Sequence, residues 1–296
     1  MSLFDLKVWM QGHLDHVEAA LSAGIQADSA ARLGEAMRYA VLDGGKRLRP
    51  LLVLATAEAV GGDMAAALRA ACAIELIHAY SLVHDDMPCM DNDVLRRGKP
   101  TVHVQFGEAQ ALLVGDALQT LAFELLTPES SDIPPAIQAR LCGILARAAG
   151  HAGMAGGQAI DLASVGLKLD IAQLRQMHRC KTGALLEAGV VMGAVAAQAS
   201  PEVMTHMLHF AQALGVAFQV VDDILDVTAD AAVLGKTAGK DAANDKPTYV
   251  SLLGLDAAKA EATRLEEQAQ AALAQSGLKD TQALQGLSAW VLQRQN

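Results

Sequence analysis

The sequence predicts an all-α protein, a single-domain helical bundle with a central substrate cavity. Three observations lead to this prediction. Apolar residues make up 52% of the chain, which is enough for a sizeable core. Ala and Leu dominate while aromatic residues are only 3%, and this balance favours helices over strands. Long apolar runs are interrupted by short Gly and Pro breaks, and alternating strand patterns are nearly absent.

The helical segments follow one another without a linker, so residues 1–296 are predicted to form one domain. Helical runs are expected at 51–60, 65–86, 104–126, 135–158, 170–199, 203–227 and 257–275. Many of these runs exceed the usual helix length, which is typical of a bundle around a central cavity. Among the expected breaks are those near Gly44–Gly45, Gly98–Pro100 and Gly156–Gly157.

Charge and cysteine content exclude several classes of protein. The net charge of -10 disfavours a nucleic-acid binder, which would normally carry a basic field. The four cysteines are scattered without paired spacing, so neither a zinc site nor a disulfide framework is predicted. Asp5 and Lys7 precede any long apolar run, which is unlike a secretory signal. A cytoplasmic protein is therefore expected.

The longest stretch without a charged residue, 203–221, is interpreted as a buried helix. It contains His206, His209, Gln212 and Gln219 and runs directly into Asp222. These polar residues argue against a membrane-spanning segment, and none is expected.

Two clusters of aspartates each end an apolar run. The first contains Asp85, Asp86, Asp91 and Asp93, and the second contains Asp222, Asp223 and Asp226. Carboxylates in an apolar setting are costly unless they are paired or bind a metal. One Asp-Asp pair alone would more simply be a solvated helix end. Two clusters about 130 residues apart, accompanied by basic segments, instead indicate two walls of one magnesium site.

The first cluster requires a departure from helical geometry. Asp91 follows Asp85 by six residues, and on a straight helix its side chain would point well away from that of Asp85. Pro88 lies between them and disturbs the helical hydrogen bonds. A bulge or loop that returns Asp91 to the metals is therefore predicted.

Basic residues accompany both clusters. The groups are Gly45-Lys46-Arg47-Leu48-Arg49, then Arg96-Arg97-Gly98-Lys99, and finally Lys236, Lys240 and Lys246. Each group alone would more simply be a solvated surface patch. Around two aspartate clusters they indicate a site for more than one phosphorylated substrate, because Arg matches phosphate oxygens with a paired fork. His78 lies two turns before Asp85 on the same helix face and so points toward the proposed metal site, although a core role is the simpler alternative. Lys181 lies in an apolar helical segment and could merely extend to solvent.

Together these motifs resemble the trans-prenyl diphosphate synthases, and most closely the bacterial farnesyl diphosphate synthases. The resemblance covers roughly residues 40–250. It rests on Gly45–Pro50, the first aspartate motif with its four-residue spacer, Arg96–Pro100, Lys181–Gly183, Gln219 and the second aspartate motif. It implies the isoprenoid synthase fold.

The resemblance also implies a role for each matching residue. About three Mg²⁺ ions, with Mn²⁺ as a possible substitute, would bind the allylic diphosphate together with Asp85, Asp86, Asp91, Asp222, Asp223 and Asp226. Arg96, Lys236 and Lys246 would contact the same diphosphate, while Gly45, Lys46, Arg49, His78 and Arg97 would form the isopentenyl diphosphate site. Lys181, the carbonyl of Thr182, and Gln219 would stabilise the allylic cation.

The implied reaction is ionisation, condensation and elimination. Isopentenyl diphosphate would be joined to dimethylallyl diphosphate and then to geranyl diphosphate, giving (2E,6E)-farnesyl diphosphate. Tyr80 and Ser81, five and four residues before Asp85, would limit product length by the resemblance, although helix geometry alone places Ser81 rather than Tyr80 on the Asp85 face. An ordinary core role for Tyr80 is the alternative. A homodimer is also implied.

Some features depart from the family, and rival functions stay open. Members often end in a basic tail, whereas this sequence ends Gln293-Arg294-Gln295-Asn296, with Arg294 but no terminal Lys, which leaves closure of the site by the tail open. A geranylgeranyl diphosphate synthase would differ only in product length. A terpene cyclase would have no use for Lys46, Arg49 and Arg97, and a non-catalytic subunit of a prenyl synthase would have lost aspartates.

Overall fold

The computed structural model describes residues 4–42, 44–129, 133–167, 169–228 and 248–293. These residues are mostly helical, and the all-α prediction is confirmed. In the described part of the chain the strands are limited to a two-residue antiparallel pair, β1 (Leu95–Arg96) with β2 (Lys99–Pro100).

The helices are numbered here in chain order. They are α1 (Leu6–Gly24), α2 (Leu33–Val41), α3 (Leu48–Val60), α4 (Met64–Asp85), α5 (Val102–Phe106), α6 (Glu108–Leu126), α7 (Pro135–Ala149), α8 (Met154–Ala163), α9 (Ile171–His178), α10 (Ala184–Ala196), α11 (Pro201–Thr228), α12 (Tyr249–Leu253), α13 (Leu255–Gln275) and α14 (Gln282–Gln293). A 3₁₀ turn covers Ala30–Arg32, and a π-helical turn covers Arg179–Gly183 between α9 and α10.

The most buried helix is α10, which packs against α3, α4, α7 and α11. Small residues allow this close packing. A Cβ on Gly193 would lie 2.3 Å from the carbonyl oxygen of Val53, so only Gly lets α10 approach α3 so closely. The other helices surround this centre, with α4 packed on α6 and α11 packed on α13.

Besides the π-helical turn within the run expected at 170–199, two expected runs are interrupted where no break was predicted. The run expected at 104–126 is divided at Gly107, whose φ of 91° separates α5 from α6. The run expected at 135–158 ends at Ala149, nine residues earlier, and α8 begins at Met154. Gly156 and Gly157 therefore lie inside a helix. Gly157 serves packing there, since a Cβ at this position would lie 2.1 Å from the backbone nitrogen of Lys181.

Two described helices, α4 and α6, are long and apolar enough to cross a membrane by length and composition alone. The apolar window of α4 is 67% buried inside the protein, as expected of a core helix. The corresponding window of α6 is only 33% buried, and its outer face carries exposed Leu112 and Leu113. The run 203–221 forms part of α11, whose inner face is buried, including Met207, Phe210 and Leu214.

Candidate active site

The first aspartate motif lies where α4 ends. The helix stops at Asp85, and a turn follows in which the backbone N–H of Asp91 donates to the carbonyl oxygen of Asp85 at 2.9 Å. Asn92 adopts a left-handed conformation with φ 50° and completes the reversal. The predicted departure from helical geometry is confirmed, since the turn returns Asp91 to the end of the helix. Asp85 is half-buried and Asp91 is exposed.

Asp86 differs from these two neighbours because it is only 3% exposed and paired within the protein. Both of its oxygens accept from Arg96, with Nε–Oδ2 at 2.7 Å and Nη2–Oδ1 at 2.5 Å. A bidentate ion pair of this kind fixes the orientation of the Asp86 carboxylate and compensates its negative charge. Burial raises the pKa of Asp86, and the Arg96 guanidinium opposes that rise.

The second aspartate motif occupies the last turns of α11. Asp223 is 3% exposed, and its two oxygens accept from the side-chain amide of Gln219 at 2.9 Å and from the backbone N–H of Tyr249 at 2.7 Å. Asp222 is half-buried, whereas Asp226 is 6% exposed. The two motifs are therefore arranged alike. The second aspartate of each, Asp86 or Asp223, is buried and hydrogen-bonded within the protein, and the first, Asp85 or Asp222, is more accessible.

Lys181 lies on the π-helical turn between the two motifs. Its Nζ pairs with Oδ2 of Asp161 on α8 at 2.6 Å. Burial lowers the pKa of Lys181, but the carboxylates of Asp161, Asp85 and Asp91 outweigh burial and raise it, so the ammonium stays charged. Thr182 is the next residue of the same turn and is half-buried. Turns of this kind occur often at functional sites, because they disturb the regular helical hydrogen bonds.

His178 interacts electrostatically with both Lys181 and Asp222 of the second motif. Burial lowers the pKa of His178 to about 4, and the carboxylates of Asp161 and Asp222 oppose that shift while Lys181 adds to it. Asp222 and Lys181 thus act on the same imidazole, and Lys181 is in turn acted on by Asp85. Lys181 is therefore within electrostatic range of the first motif, and His178 is within range of both Lys181 and the second motif.

The basic loop before α3 is shaped by Arg47 and Gly45. Arg47 is 4% exposed, has a φ of 48°, and forms ion pairs with Glu75 and Glu18, both at 2.7 Å. Gly45 has a φ of 104°, and a Cβ there would lie 2.7 Å from Nη2 of Arg97. Arg97 donates to the carbonyl oxygen of Gly44 at 2.8 Å, which joins the hairpin to the loop.

Arg49 and His78 lie in the same basic neighbourhood. The Nε of Arg49 is buried and has no hydrogen-bond partner in the structure. Burial lowers the pKa of His78, and Arg49 and Arg97 lower it further, so this imidazole is neutral near pH 7. A buried guanidinium with an unsatisfied donor is costly, and an anionic ligand would satisfy it.

Lys46 is exposed, and its Nζ lies 5.9 Å from the ring centroid of Trp290 on α14. This distance is within the range of a cation–π contact. The C-terminal helix, in a region where the sequence carries little functional information, thus borders the basic loop.

Tyr80 and Ser81 lie one turn before the end of α4, and both are half-buried. The Tyr80 ring packs edge-on against His84, with centroids 5.8 Å apart. The Ser81 hydroxyl donates to the carbonyl oxygen of His78 at 2.7 Å within the helix. Their role in product length stays a prediction.

The donor set fits a magnesium ion that shares its ligands with a substrate. The predicted ligands are all carboxylates, the hard oxygen donors that magnesium prefers. Within the described ranges, no group of three His, Cys, Asp or Glu side chains is close enough to hold a metal by itself. Magnesium commonly completes its shell with water and phosphate oxygens, and such a site would need them.

Some predicted residues lie outside the described residues, and other functional candidates were missed by sequence reasoning. Lys236, Lys246 and Arg294 are outside the described residues. Asp161, Glu75, His178, Tyr249 and Trp290 were not predicted as site residues, and Arg47 was predicted only as part of the basic group. Asp161 could have been found, because it is the one charged residue in the sequence of α8. The central cavity between the two motifs stays a prediction.

Comparisons of the sequence and of the fold with known proteins point to the same family. The sequence profile described as "Polyprenyl synthetase" matches residues 30–285. The chain is 43% identical over 296 residues to a chloroplastic geranylgeranyl pyrophosphate synthase of Catharanthus roseus, covering 100% of this chain and 83% of that protein. It is 46% identical over 261 residues to a farnesyl diphosphate synthase of Geobacillus stearothermophilus, covering 88% of each. A solved FPP/GFPP synthase from Zymomonas mobilis superposes with a TM-score of 0.87 at 41% identity, covering 97% of this chain and 98% of that one.

Proposed function

Because the chain belongs to the polyprenyl synthetase family and is a short-chain trans-prenyltransferase, we propose that it joins isopentenyl diphosphate to dimethylallyl diphosphate and then to geranyl diphosphate. The product proposed is (2E,6E)-farnesyl diphosphate. The observation that carries the proposal is that Lys181 interacts electrostatically with Asp85 and Asp91 of the first motif, while His178, three residues earlier, interacts with Asp222 of the second; a separate basic loop is joined to Arg97.

The allylic diphosphate is proposed to lie between the two motifs. Asp85, Asp91 and Asp222 would hold Mg²⁺, with Asp86, Asp223 and Asp226 supporting them from buried positions. When bound, magnesium supplies positive charge that stabilises the departing diphosphate. Lys181 contributes a fixed positive charge on the same side. At an effective dielectric of about 20, opposite unit charges 4 Å apart interact by about 4 kcal/mol, so several contacts of this kind assist departure.

Isopentenyl diphosphate is proposed to bind at the basic loop. Lys46, Arg49 and Arg97 supply three positive charges, and the unsatisfied Nε of Arg49 supports an anionic occupant. His78, being neutral, would contribute a hydrogen bond rather than charge. The double bond of this substrate then attacks the allylic cation, and a proton leaves to the released diphosphate.

The allylic cation is proposed to be stabilised by the Thr182 carbonyl and by Gln219, with Lys181 holding the diphosphate nearby. A carbonyl on a π-helical turn is a suitable negative dipole for a cation. The Gln219 amide nitrogen donates to Asp223, which leaves its oxygen to face the positive charge. Exclusion of water from this region would prevent hydrolysis of the cation.

The product length has a second candidate. Several relatives with 43 to 47% identity are geranylgeranyl pyrophosphate synthases, which favours a C20 product. The half-buried Tyr80 below Asp85 favours the shorter C15 chain. The test is incubation with dimethylallyl and isopentenyl diphosphates and Mg²⁺, followed by product sizing. A C15 product is expected, a C20 product would favour the second candidate, and no product would reject both.

A homodimer and a cytoplasmic location are also part of the proposal. The outer face of α6 carries Leu112 and Leu113, which are 48% and 52% exposed, and Val104 nearby on α5 is 50% exposed. Apolar surface of this kind suits contact with a second copy of the chain. Light scattering is expected to show a dimer that Leu113→Lys weakens. Fractionation of expressing cells tests the location.

A further inference from the structure

Glu75 is a buried acid that the proposed chemistry does not use. It lies in the middle of α4 and is 2% exposed. It precedes His78 by three residues, so the two side chains share one face of the helix. An acid this buried is retained only when a cation compensates it.

The compensating cation is Arg47, each of whose three side-chain nitrogens donates a hydrogen bond within the protein. Its Nη1 donates to Glu75 at 2.7 Å, its Nε donates to Glu18 at 2.7 Å, and its Nη2 donates to the carbonyl oxygen of Val41 at 2.5 Å. The Arg47 side chain is 2% exposed, so these bonds direct its guanidinium into the protein rather than toward a ligand. Its φ of 48° is a conformation that a non-Gly residue adopts at a cost, and these three bonds hold it there.

The ion pair between Arg47 and Glu75 influences where the side chains of the neighbouring Lys46 and Arg49 lie. Arg47 turns inward at the start of α3, while Lys46 before it is exposed and Arg49 after it is half-buried with an unsatisfied Nε. The carboxylate of Glu75 also acts electrostatically on Arg49 and Arg97. One buried acid thus offsets the mutual repulsion of three arginines, Arg47, Arg49 and Arg97.

We infer that Glu75 is a positioning residue for the isopentenyl diphosphate site: through Arg47 it fixes the loop 44–49 so that Lys46, Arg49 and Arg97 converge on one anion. Glu75 does not touch the ligand. The inference rests on the proposed function and adds to it a determinant of affinity for one of the two substrates.

The first test is Glu75→Gln, which keeps the shape of the side chain and removes its charge. The KM for isopentenyl diphosphate is expected to rise about tenfold or more, with the KM for the allylic diphosphate changed less than about twofold. The matched control is Glu18→Gln, which removes the more exposed partner of the same guanidinium, whose side chain is 36% exposed. This control is expected to change either KM by less than about threefold, since a partly exposed carboxylate contributes less to an ion pair than a buried one and two of the three bonds to Arg47 remain.

The second test separates positioning from stability. Removing one member of a buried pair leaves an unpaired charge and can unfold a protein, whereas replacing both with apolar residues is often neutral. Arg47→Met combined with Glu75→Leu is therefore expected to fold with little change in melting temperature. The double variant is expected to keep the weakened binding of isopentenyl diphosphate, measured by calorimetry, because the loop is no longer held.

The outcomes are distinguishable. If the folded double variant binds isopentenyl diphosphate as tightly as the wild type, the positioning role is wrong, and the pair serves only stability. Equal rises in both KM values for Glu75→Gln would also overturn it, because the effect would then be general. If the wild type itself neither binds nor uses isopentenyl diphosphate, the proposed function fails.

Discussion

The carboxylates of the site fall into two physical types that their sequence positions alone do not distinguish. Asp86 and Asp223 are buried, and both oxygens of each accept hydrogen bonds from the protein. Asp85, Asp91 and Asp222 are more accessible. Aspartate spacing predicts that a cluster exists, but which carboxylate is anchored within the protein depends on distant partners such as Tyr249, which no local pattern reveals.

Lys181 is the residue on which the electrostatics of the site depend most. Lys181→Gln is expected to lower kcat about 10²-fold, because a fixed charge beside the departing diphosphate is lost. Steady-state kinetics with saturating substrates measures this. Asp161→Asn is the matched variant, since it removes the partner at 2.6 Å but keeps the ammonium. A smaller effect is expected for it, and an unchanged kcat for Lys181→Gln would reject the role.

Tyr80 gives a prediction about product length. Tyr80→Ala is expected to shift the main product to longer chains, because it removes a half-buried ring from the end of α4. Mass spectrometry of extracted products measures the shift. Ser81→Ala, at the other residue assigned to product length, is the comparison, and a smaller shift is expected because that hydroxyl is bound to the helix backbone at 2.7 Å. An unchanged C15 product from Tyr80→Ala would show that the ring is ordinary core.

At the level of elements, composition predicted the helices well and their interruptions less well. The apolar runs ending in the two aspartate motifs correspond to α4 and α11 as expected. The π-helical turn was not predicted, because it depends on packing of α8 and α11 against residues 179–183 rather than on local propensity. Gly156 and Gly157 were likewise predicted to break a helix because local propensity does not reveal packing. They lie inside α8, where Gly157 packs against the backbone of the π-helical turn.

Gly157 tests whether that close packing maintains the π-helical turn. Gly157→Ala would place a Cβ 2.1 Å from the backbone nitrogen of Lys181, so the turn must shift. A loss of stability of about 1–3 kcal/mol is expected, as for other overpacking changes, together with reduced kcat. Chemical denaturation and kinetics measure the two effects.

Gly12→Ala is the control for this experiment. Gly12 lies inside α1, and its Cβ would meet nothing within 4 Å. A gain of up to about 1 kcal/mol is expected there, because Ala is the better helix former. Equal effects at the two glycines would contradict the packing argument.

On the scale of the whole molecule, burial of His178 makes folding depend on pH. Its pKa is about 4 in the folded protein against 6.5 ordinarily, so between these values only the unfolded chain binds the proton. Stability contributed by this residue is therefore complete above pH 6.5 and is lost as pH falls toward 4, by about 3 kcal/mol in total.

Thermal unfolding between pH 7 and pH 4 measures this dependence. His178→Phe is expected to flatten the fall in melting temperature, because it removes the titrating group. His209→Gln, a change at an exposed histidine of α11, is expected to leave the slope unchanged. The same slope in His178→Phe and in the wild type would contradict the assignment.

The central claim is that two aspartate motifs far apart in sequence bind one diphosphate. The most direct measurement is a double-mutant cycle on Asp85→Asn and Asp222→Asn, read by calorimetric titration of inorganic diphosphate with Mg²⁺. Residues that share one ligand cluster couple by about 0.5–3 kcal/mol, so the double variant is expected to bind little worse than either single variant. If the losses of binding free energy in the two single variants simply add in the double variant, the two motifs do not bind the same diphosphate.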